Sequence, residues 1–194
     1  MDLTLVIPAK KEKESLPYVL EELKKYNYKC LIVLEKNDTE TIESINNYDC
    51  EIIYQNNLGY GSALIQGINA TKTEYFCIFN ADGSFIPNEI KQMKDELEKN
   101  NLDYVFGSRY QKGSKSDDDT LVTLIGNYFF TYFGKIFFNL NITDILYTFV
   151  IGKTKKAKEL NLKQKDFTFC VELPIKAKRL NQKMTSYTSH ERSR

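Results

Sequence analysis

The sequence predicts an α/β domain with a mostly parallel central sheet and helices on both of its faces. Two observations lead to this fold class. Short apolar runs alternate with segments of helical spacing across the first 107 residues, and such alternation is typical of parallel strands joined by helical crossovers. The length of 194 residues suits one domain with a substantial core.

Each element has its own local signal. Five short apolar runs are predicted as strands: residues 3–7, 30–34, 51–54, 74–79 and 103–106. Four segments with apolar residues every three or four positions are predicted as helices: residues 14–26, 38–47, 61–70 and 87–98. Asp38 is expected to cap the second helix, and Pro87 suits a first helical turn. After residue 107 we expect a polar loop at 111–120, an aromatic-rich helix at 121–140, short strands and a helix near 171–180.

Composition excludes several classes of protein. Lys and Arg number 27 against 26 Asp and Glu, so no global positive field favours nucleic acid. The four cysteines have no CxxC spacing and are expected to be reduced thiols of a cytosolic protein. A single histidine, His190, argues against a His-based triad. We expect no signal peptide and no membrane-spanning segment, because no apolar run is long enough.

The segment Asn80-Ala81-Asp82-Gly83 directly follows the apolar run that is predicted as the fourth strand. The carboxyl ends of parallel strands form the edge at which ligands bind in open α/β sheets. Two side-chain oxygens at positions i and i+2 of that edge can hold a hard divalent cation, which would in turn hold a diphosphate. The same residues also suit a polar turn.

Gly59 follows the third predicted strand, and Gly61 opens the third predicted helix. Their spacing lacks the GxGxxG pattern and they do not follow the first strand, which excludes a Rossmann cofactor site. They could let backbone approach a ligand at the amides of a helix N-terminus. A tight turn with positive φ at Gly59 explains them equally well.

A series of motifs resembles a known family. It comprises Val6-Ile7-Pro8-Ala9 with Glu12, Glu35, Asn57 to Ala63 with Gly67, Asn80 to Gly83, Gly107 to Tyr110, Thr143-Asp144 and Glu172-Leu173-Pro174. In order and spacing these resemble the inverting family 2 glycosyltransferases, most of all their polyprenyl-phosphate branch, the dolichol-phosphate mannose and glucose synthases. The resemblance implies a single GT-A domain over 1–194, with a nucleotide-sugar-binding half at 1–110 and an acceptor half at 111–194. The family's basic segment continues past the last residue, so we expect the chain to be truncated there.

The resemblance also implies roles for individual residues. The residues that match the family's nucleotide-sugar-binding positions are Pro8, Ala9, Glu12, Glu35, Gly59, Gly61, Asn80, Ala81 and Asp82. The residues that match catalytic positions are Asp82, Arg109 and Asp144. The residues that match positions binding the acceptor phosphate are Arg109, Glu172, Arg192 and Arg194. Asn80 and Asp82 match the family's metal motif for Mg²⁺ or Mn²⁺. Because Asn80 replaces an Asp there, one formal charge is lost and weaker metal binding is expected.

The implied reaction moves a sugar from a GDP- or UDP-linked nucleotide-diphosphate sugar to a polyprenyl phosphate, with inversion. A phosphate acceptor is already anionic at neutral pH, because its second pKa is about 6. It therefore needs no general base, and Asp144 is expected to position groups or act electrostatically.

Residues 128–138 contain seven Phe or Tyr side chains. A helix that is apolar on most sides requires a second apolar partner besides the sheet. Either the helix is fully buried, or it lies in the interface of a bilayer, where aromatic rings are favoured. We expect the interface, on the cytoplasmic face of the membrane, with residues 117–119 capping the helix.

Two other classes of function stay open at this stage. One is a sugar nucleotidyltransferase, although the loop after the first strand lacks the glycines that such an enzyme carries. The other is a catalytically impaired homologue that binds a membrane surface, which Asn80 and the short C-terminus would suit.

Overall fold

The computed structural model describes residues 2–117 and 121–193. The strands are β1 Leu3–Pro8, β2 Lys29–Leu34, β3 Glu51–Tyr54, β4 Tyr75–Ile78, β5 Tyr104–Ser108, β6 Lys115–Ser116, β7 Val150–Lys153, β8 Met184–Thr188 and β9 His190–Glu191. The helices are α1 Ser15–Lys24, α2 Thr39–Ser44, α3 Tyr60–Ala70, α4 Pro87–Lys99, α5 Leu121–Phe138, α6 Thr154–Glu159 and α7 Phe169–Arg179. The five strands and four helices predicted for the first half are all present, with ends shifted by up to three residues.

Seven strands form one sheet in the order β3-β2-β1-β4-β7-β5-β8. All neighbouring pairs are parallel except those of β7, which runs antiparallel between β4 and β5. The predicted mostly parallel sheet is confirmed. Because β7 and β8 join this sheet, the second half of the chain extends the first half's core.

The sheet separates two hydrophobic cores, as alternation along β1 illustrates. Leu5 and Ile7 pack with α1 and α4 on one face, whereas Val6 packs with α3, α6 and α7 on the other. Successive side chains of a strand point to opposite faces, so a strand buried on both sides reads as a continuous apolar run. Helices on both faces are therefore confirmed.

Asp38 occupies the N-cap position of α2, as predicted, but its side chain makes no cap hydrogen bond to the helix. Its Oδ2 instead accepts a hydrogen bond from the backbone N–H of Lys11 at 2.7 Å, which ties the loop after β1 to the loop after β2. At α5, Asp117 Oδ2 lies 3.0 Å from His190 Nε2, and residues 118 and 119 of the expected cap fall outside the described residues.

Helix α5 carries its aromatic side chains outward. Its aromatic surface consists of Tyr128, Phe129, Phe130, Tyr132, Phe133, Phe137 and Phe138, which are 37–68% exposed. Full burial of this helix, the alternative considered from the sequence, is therefore wrong. Across the described ranges, no helix combines the length and apolarity needed to cross a bilayer.

A loop at residues 161–168 lies against the N-terminus of α3. The carbonyl of Lys165 accepts a hydrogen bond from Ser62 N–H at 3.0 Å. A Cβ at Gly59 would lie 2.2 Å from the Lys165 oxygen, and one at Gly61 would lie 2.3 Å from the Gln164 oxygen. Both glycines thus permit backbone-to-backbone contact, and Gly59 also has a φ of 113°. Because the Ser62 N–H donates to the Lys165 carbonyl, this amide at the N-terminus of α3 is not available to the anion that the sequence led us to expect there.

Candidate active site

A cleft of about 470 Å³ opens at the carboxyl edge of the sheet, beside the ends of β1, β2 and β4. A volume of this size suits a small-molecule ligand. Nine of the residues expected from the sequence line it: Pro8, Ala9, Glu12, Glu35, Gly59, Asn80, Ala81, Asp82 and Arg109. The parallel strands bring these residues together because their carboxyl ends meet at one edge.

The β1 and β2 side of the cleft carries two carboxylates. Glu35 pairs with Lys10 at 3.0 Å, and its side chain remains 18% exposed. Glu12 accepts a hydrogen bond from the hydroxyl of Ser15 at 2.5 Å, and its backbone N–H donates to Thr41 Oγ1 at 3.0 Å. Each carboxylate is thus oriented by protein contacts and can accept hydrogen bonds from the N–H or hydroxyl groups of a nucleoside.

Asn80 and Asp82 are held in fixed orientations just beyond β4. Asp82 Oδ1 accepts hydrogen bonds from the backbone N–H of Ser84 at 3.0 Å and from its hydroxyl at 2.6 Å. Asn80 Oδ1 accepts one from the hydroxyl of Tyr60 at 3.1 Å. Within residues 2–117 and 121–193, no three His, Cys, Asp or Glu side chains cluster as a metal cage. One carboxylate and one amide oxygen suit Mg²⁺ or Mn²⁺ whose remaining ligands come from substrate phosphate and water.

Arg109 is engaged by two carboxylates. Its Nε and Nη2 donate to the two oxygens of Asp144 at 2.8 and 3.1 Å, and its Nη1 donates to Glu191 Oε2 at 3.1 Å. Burial alone would lower the pKa of Arg109, but the hydrogen bond to Asp144 and the charges of Asp144 and Glu191 raise it above its ordinary value. The guanidinium therefore stays charged, and this cluster of three side chains has a formal charge of −1.

Asp144 lies below the cleft and is fully buried. Besides Arg109, it accepts a hydrogen bond from Asn127 Nδ2 on α5. Glu191 lines the cleft and accepts another from the hydroxyl of Ser116 at 2.7 Å. The cluster consequently connects the cleft to α5 and to the β6–β9 pair.

Four expected site residues lie outside the cleft or outside the described chain. Glu172 accepts hydrogen bonds from Lys163 and Gln164 N–H at 2.8–3.0 Å and pairs with Lys176, so it holds the 161–168 loop. Arg192 pairs with Glu22 at 2.9 Å and donates to the Phe85 carbonyl at 2.7 Å. Gly61 packs beneath the loop, and Arg194 is outside the described residues.

On α7 the residue that reaches the cleft is Cys170. Residues 170 and 172 lie about 200° apart around a helix of 3.6 residues per turn, which places Glu172 on the opposite side. Burial raises the pKa of the Cys170 thiol to about 12, so it is a neutral part of the wall.

Sequence reasoning missed the wall formed by Tyr60, Thr148 and Phe167. The hydroxyl of Tyr60 lies 2.7 Å from Thr148 Oγ1, and its ring stacks on Phe167 with centroids 4.9 Å apart. An aromatic residue between two glycines was the available signal for Tyr60. Nothing local distinguished Phe167 or Glu191.

Comparison with known proteins identifies the family of this chain. Residues 4–160 match the model of glycosyl transferase family 2. The chain belongs to that family. It is 31% identical over 107 residues to an uncharacterized glycosyltransferase of Mycobacterium tuberculosis, covering 55% of this chain and 48% of that protein. It is 27% identical over 127 residues to dolichol-phosphate mannosyltransferase of Pyrococcus furiosus, covering 61% of this chain and 36% of that protein. The chain thus spans about half the length, or less, of these curated relatives.

Solved structures confirm the GT-A fold. Glucosyl-3-phosphoglycerate synthase of Mycobacterium tuberculosis in complex with UDP superposes with a TM-score of 0.78 at 12% identity, over 99% of this chain and 71% of that one. Mannosyl-3-phosphoglycerate synthase of Rubrobacter xylanophilus gives 0.69 at 14% identity, over 100% of this chain and 67% of that one. The resemblance to family 2 is confirmed, whereas these structures do not single out the polyprenyl-phosphate branch.

We predict that Asp144→Ala destabilises the protein by about 3–5 kcal/mol, because it removes the carboxylate that binds the buried guanidinium of Arg109 through both of its oxygens. Guanidinium chloride unfolding followed by circular dichroism measures this loss. Glu159→Gln is the matched control, since Glu159 pairs with Lys156 at 3.3 Å on the surface and both side chains are about 40% exposed. Equal unfolding midpoints for the two variants would contradict a structural role for the cluster.

Proposed function

We propose that this chain transfers a sugar, with inversion, from a nucleotide-diphosphate sugar to a polyprenyl phosphate. The observation that carries the proposal is the convergence of Glu35, Asn80 and Asp82 at one cleft on the strand ends. Membership of family 2 and the UDP bound to the structurally similar synthase support the donor class. The proposal covers both UDP- and GDP-linked donors, because the carboxylates of Glu12 and Glu35 do not distinguish the two bases.

In this proposal the nucleoside lies against Pro8, Ala9 and Glu35, and the diphosphate reaches Asn80 and Asp82. A bound Mg²⁺ or Mn²⁺ would neutralise charge on the leaving diphosphate. Related structures contain Mn²⁺ or Mg²⁺ together with UDP. The hydrogen bonds from Ser84 and Tyr60 fix the two oxygen ligands in advance, so little ordering is required when the donor binds.

The acceptor phosphate is proposed to bind at Arg109. There it would replace the Glu191 carboxylate on Nη1, which exchanges one anion for another and leaves the Asp144 contacts in place. Because the phosphate oxygen is already anionic, it can attack the sugar without a general base. Asp144 then acts by positioning Arg109.

The proposed binding surface for the polyprenyl tail is the aromatic surface of α5. The ring of Phe133 contacts the ring of Phe129 at a centroid distance of 4.4 Å and stacks on the ring of Phe137 at 5.3 Å. All three rings are exposed. An exposed aromatic patch of this kind is typical of an interaction surface. Tyr128 lies 5.4 Å from Tyr110, the neighbour of Arg109, so the patch reaches the acceptor end of the cleft. We propose that α5 lies in the membrane interface, on the cytoplasmic face.

Asp82→Ala should weaken Mn²⁺-dependent binding of a nucleotide sugar at least tenfold, about 1.4 kcal/mol, because it removes the one carboxylate of the metal pair. Isothermal titration calorimetry with UDP-glucose and GDP-mannose measures the change, and circular dichroism checks the fold. Asp95→Ala, on the exposed side of α4, is the control. Asn80→Asp should tighten Mn²⁺ binding. Unchanged affinity in Asp82→Ala would remove the metal assignment.

Transfer should proceed to a short polyprenyl phosphate and not to the matching polyprenol, since only the phosphate is anionic at neutral pH. Radiolabelled sugar transfer into extractable lipid measures both acceptors. Equal turnover of the alcohol would show that a general base operates. Turnover of 3-phosphoglycerate instead of the lipid would replace the polyprenyl assignment with a small phosphorylated acid.

Replacing Phe129, Phe133 and Phe137 together with Ser should abolish flotation with anionic liposomes and leave the fold intact, because these rings face outward. Substituting three buried rings, Phe76, Phe79 and Phe149, is the contrasting control, and that variant should be unfolded. An unfolded α5 variant, or one that still floats, would contradict the interfacial position.

A further inference from the structure

An aromatic pair stands on one wall of the cleft. The rings of Tyr60 and Phe167 are stacked, with an interplanar angle of 18°. Phe167 is 72% exposed. Its outer face is therefore available to a ligand that enters the cleft.

Phe167 is held in place through its loop. Asp166 Oδ1 accepts hydrogen bonds from the backbone N–H of Thr168 at 2.9 Å and from its hydroxyl at 2.5 Å. Glu172 holds the start of the same loop, and Ser62 N–H holds its middle. Gly59 and Gly61 are required for that contact. These hydrogen bonds and backbone contacts fix the loop that carries Phe167, so the exposed ring has a defined position at the cleft.

Tyr60 is fixed relative to Asn80, one of the two proposed metal ligands. Its hydroxyl donates to Asn80 Oδ1 and also contacts Thr148. The pair consequently lies next to the position proposed for the diphosphate. The group that follows the diphosphate in a nucleotide sugar is the sugar itself.

We propose that Phe167, backed by Tyr60, is the stacking platform for the pyranose ring of the transferred sugar. This inference rests on the proposed donor class. A pyranose presents a face of C–H groups with partial positive charge, and the face of an aromatic ring is negative. Phe167 has no polar atom, so it makes no demand on the sugar's hydroxyls. The platform therefore favours hexopyranoses with several axial hydrogens on one face.

The chain has no tryptophan, so Phe167→Trp introduces a single fluorescent reporter at the platform. The titrations use UDP, UDP-glucose, GDP and GDP-mannose with Mn²⁺, and calorimetry under the same conditions establishes which of them bind. We expect a shift in tryptophan emission with a nucleotide sugar and none with the matching nucleotide. Phe137→Trp, on the aromatic surface of α5, is the control and should respond to neither.

An equal response to UDP and UDP-glucose, or to GDP and GDP-mannose, would show that the base stacks on Phe167 and would overturn the inference. Binding of the nucleotide sugar by calorimetry without any change in emission would also overturn it. If neither nucleotide nor nucleotide sugar binds, the proposed donor class fails, and the inference fails with it.

A second variant separates ring stacking from apolar contact. Phe167→Leu keeps apolar volume but removes the ring, and it should weaken nucleotide-sugar binding roughly threefold to tenfold. Binding of the free nucleotide should be unchanged. Phe167→Tyr keeps the ring face and should restore the affinity. Equal loss for nucleotide and nucleotide sugar in Phe167→Leu would show that the loop only supports the fold.

Discussion

The end of the cleft beside β5 depends on the buried ion cluster of Arg109, Asp144 and Glu191. Removing three charges from water costs several kcal/mol each, so such a cluster is retained only when its hydrogen bonds are complete. Here both Asp144 oxygens and Glu191 Oε2 are bonded to the guanidinium, and Asn127 and Ser116 add further donors. Because those five residues come from separate segments, the cluster fixes α5 and the β6–β9 pair relative to the end of β5.

The wall of the cleft at the start of α3 depends on a backbone contact of a different kind. The 161–168 loop is more than 90 residues away from Gly59 in sequence, yet the Lys165 carbonyl packs on it closely enough to exclude any Cβ. In this contact the Ser62 N–H at the start of α3 donates to the Lys165 carbonyl, so the amide is not open to an anion. In exchange the contact places Phe167 over Tyr60. Gly59 and Gly61, which resemble a phosphate-binding loop in sequence, therefore allow close packing of the 161–168 loop.

Local pattern was sufficient for the first five strands of the sheet and for the residues that directly follow them, because hydrophobic periodicity and strand ends are properties of short segments. It did not locate β7 and β8, which join the same sheet from the second half of the chain. It was insufficient where the partner is distant. The basic residue Arg192 was expected at phosphate, but Glu22 and the Phe85 carbonyl, far away in sequence, bind it. For Glu172 the error lies in helix phase, since a shift of two residues on α7 exchanges it for Cys170. Glu191 and Phe167 had no local signal because their roles arise only from tertiary packing.

The charges at the cleft bear on how a donor could bind. Its lining includes four carboxylates, Glu12, Glu35, Asp82 and Glu191, and two cations, Lys10 and Arg109, for a formal charge of −2. Both cations are already paired, with Glu35 and with Asp144 and Glu191. A nucleotide diphosphate would add negative charge to a site whose field already repels it. A divalent cation bound as proposed at Asn80 and Asp82 would reverse that sign where the diphosphate would lie, and the neutral amide of Asn80 would leave the metal more of its charge for the substrate than a second carboxylate would. An amide in place of a carboxylate at position 80 would thus weaken protein ligation of the metal and, at the same time, strengthen the attraction of the metal-loaded site for a diphosphate.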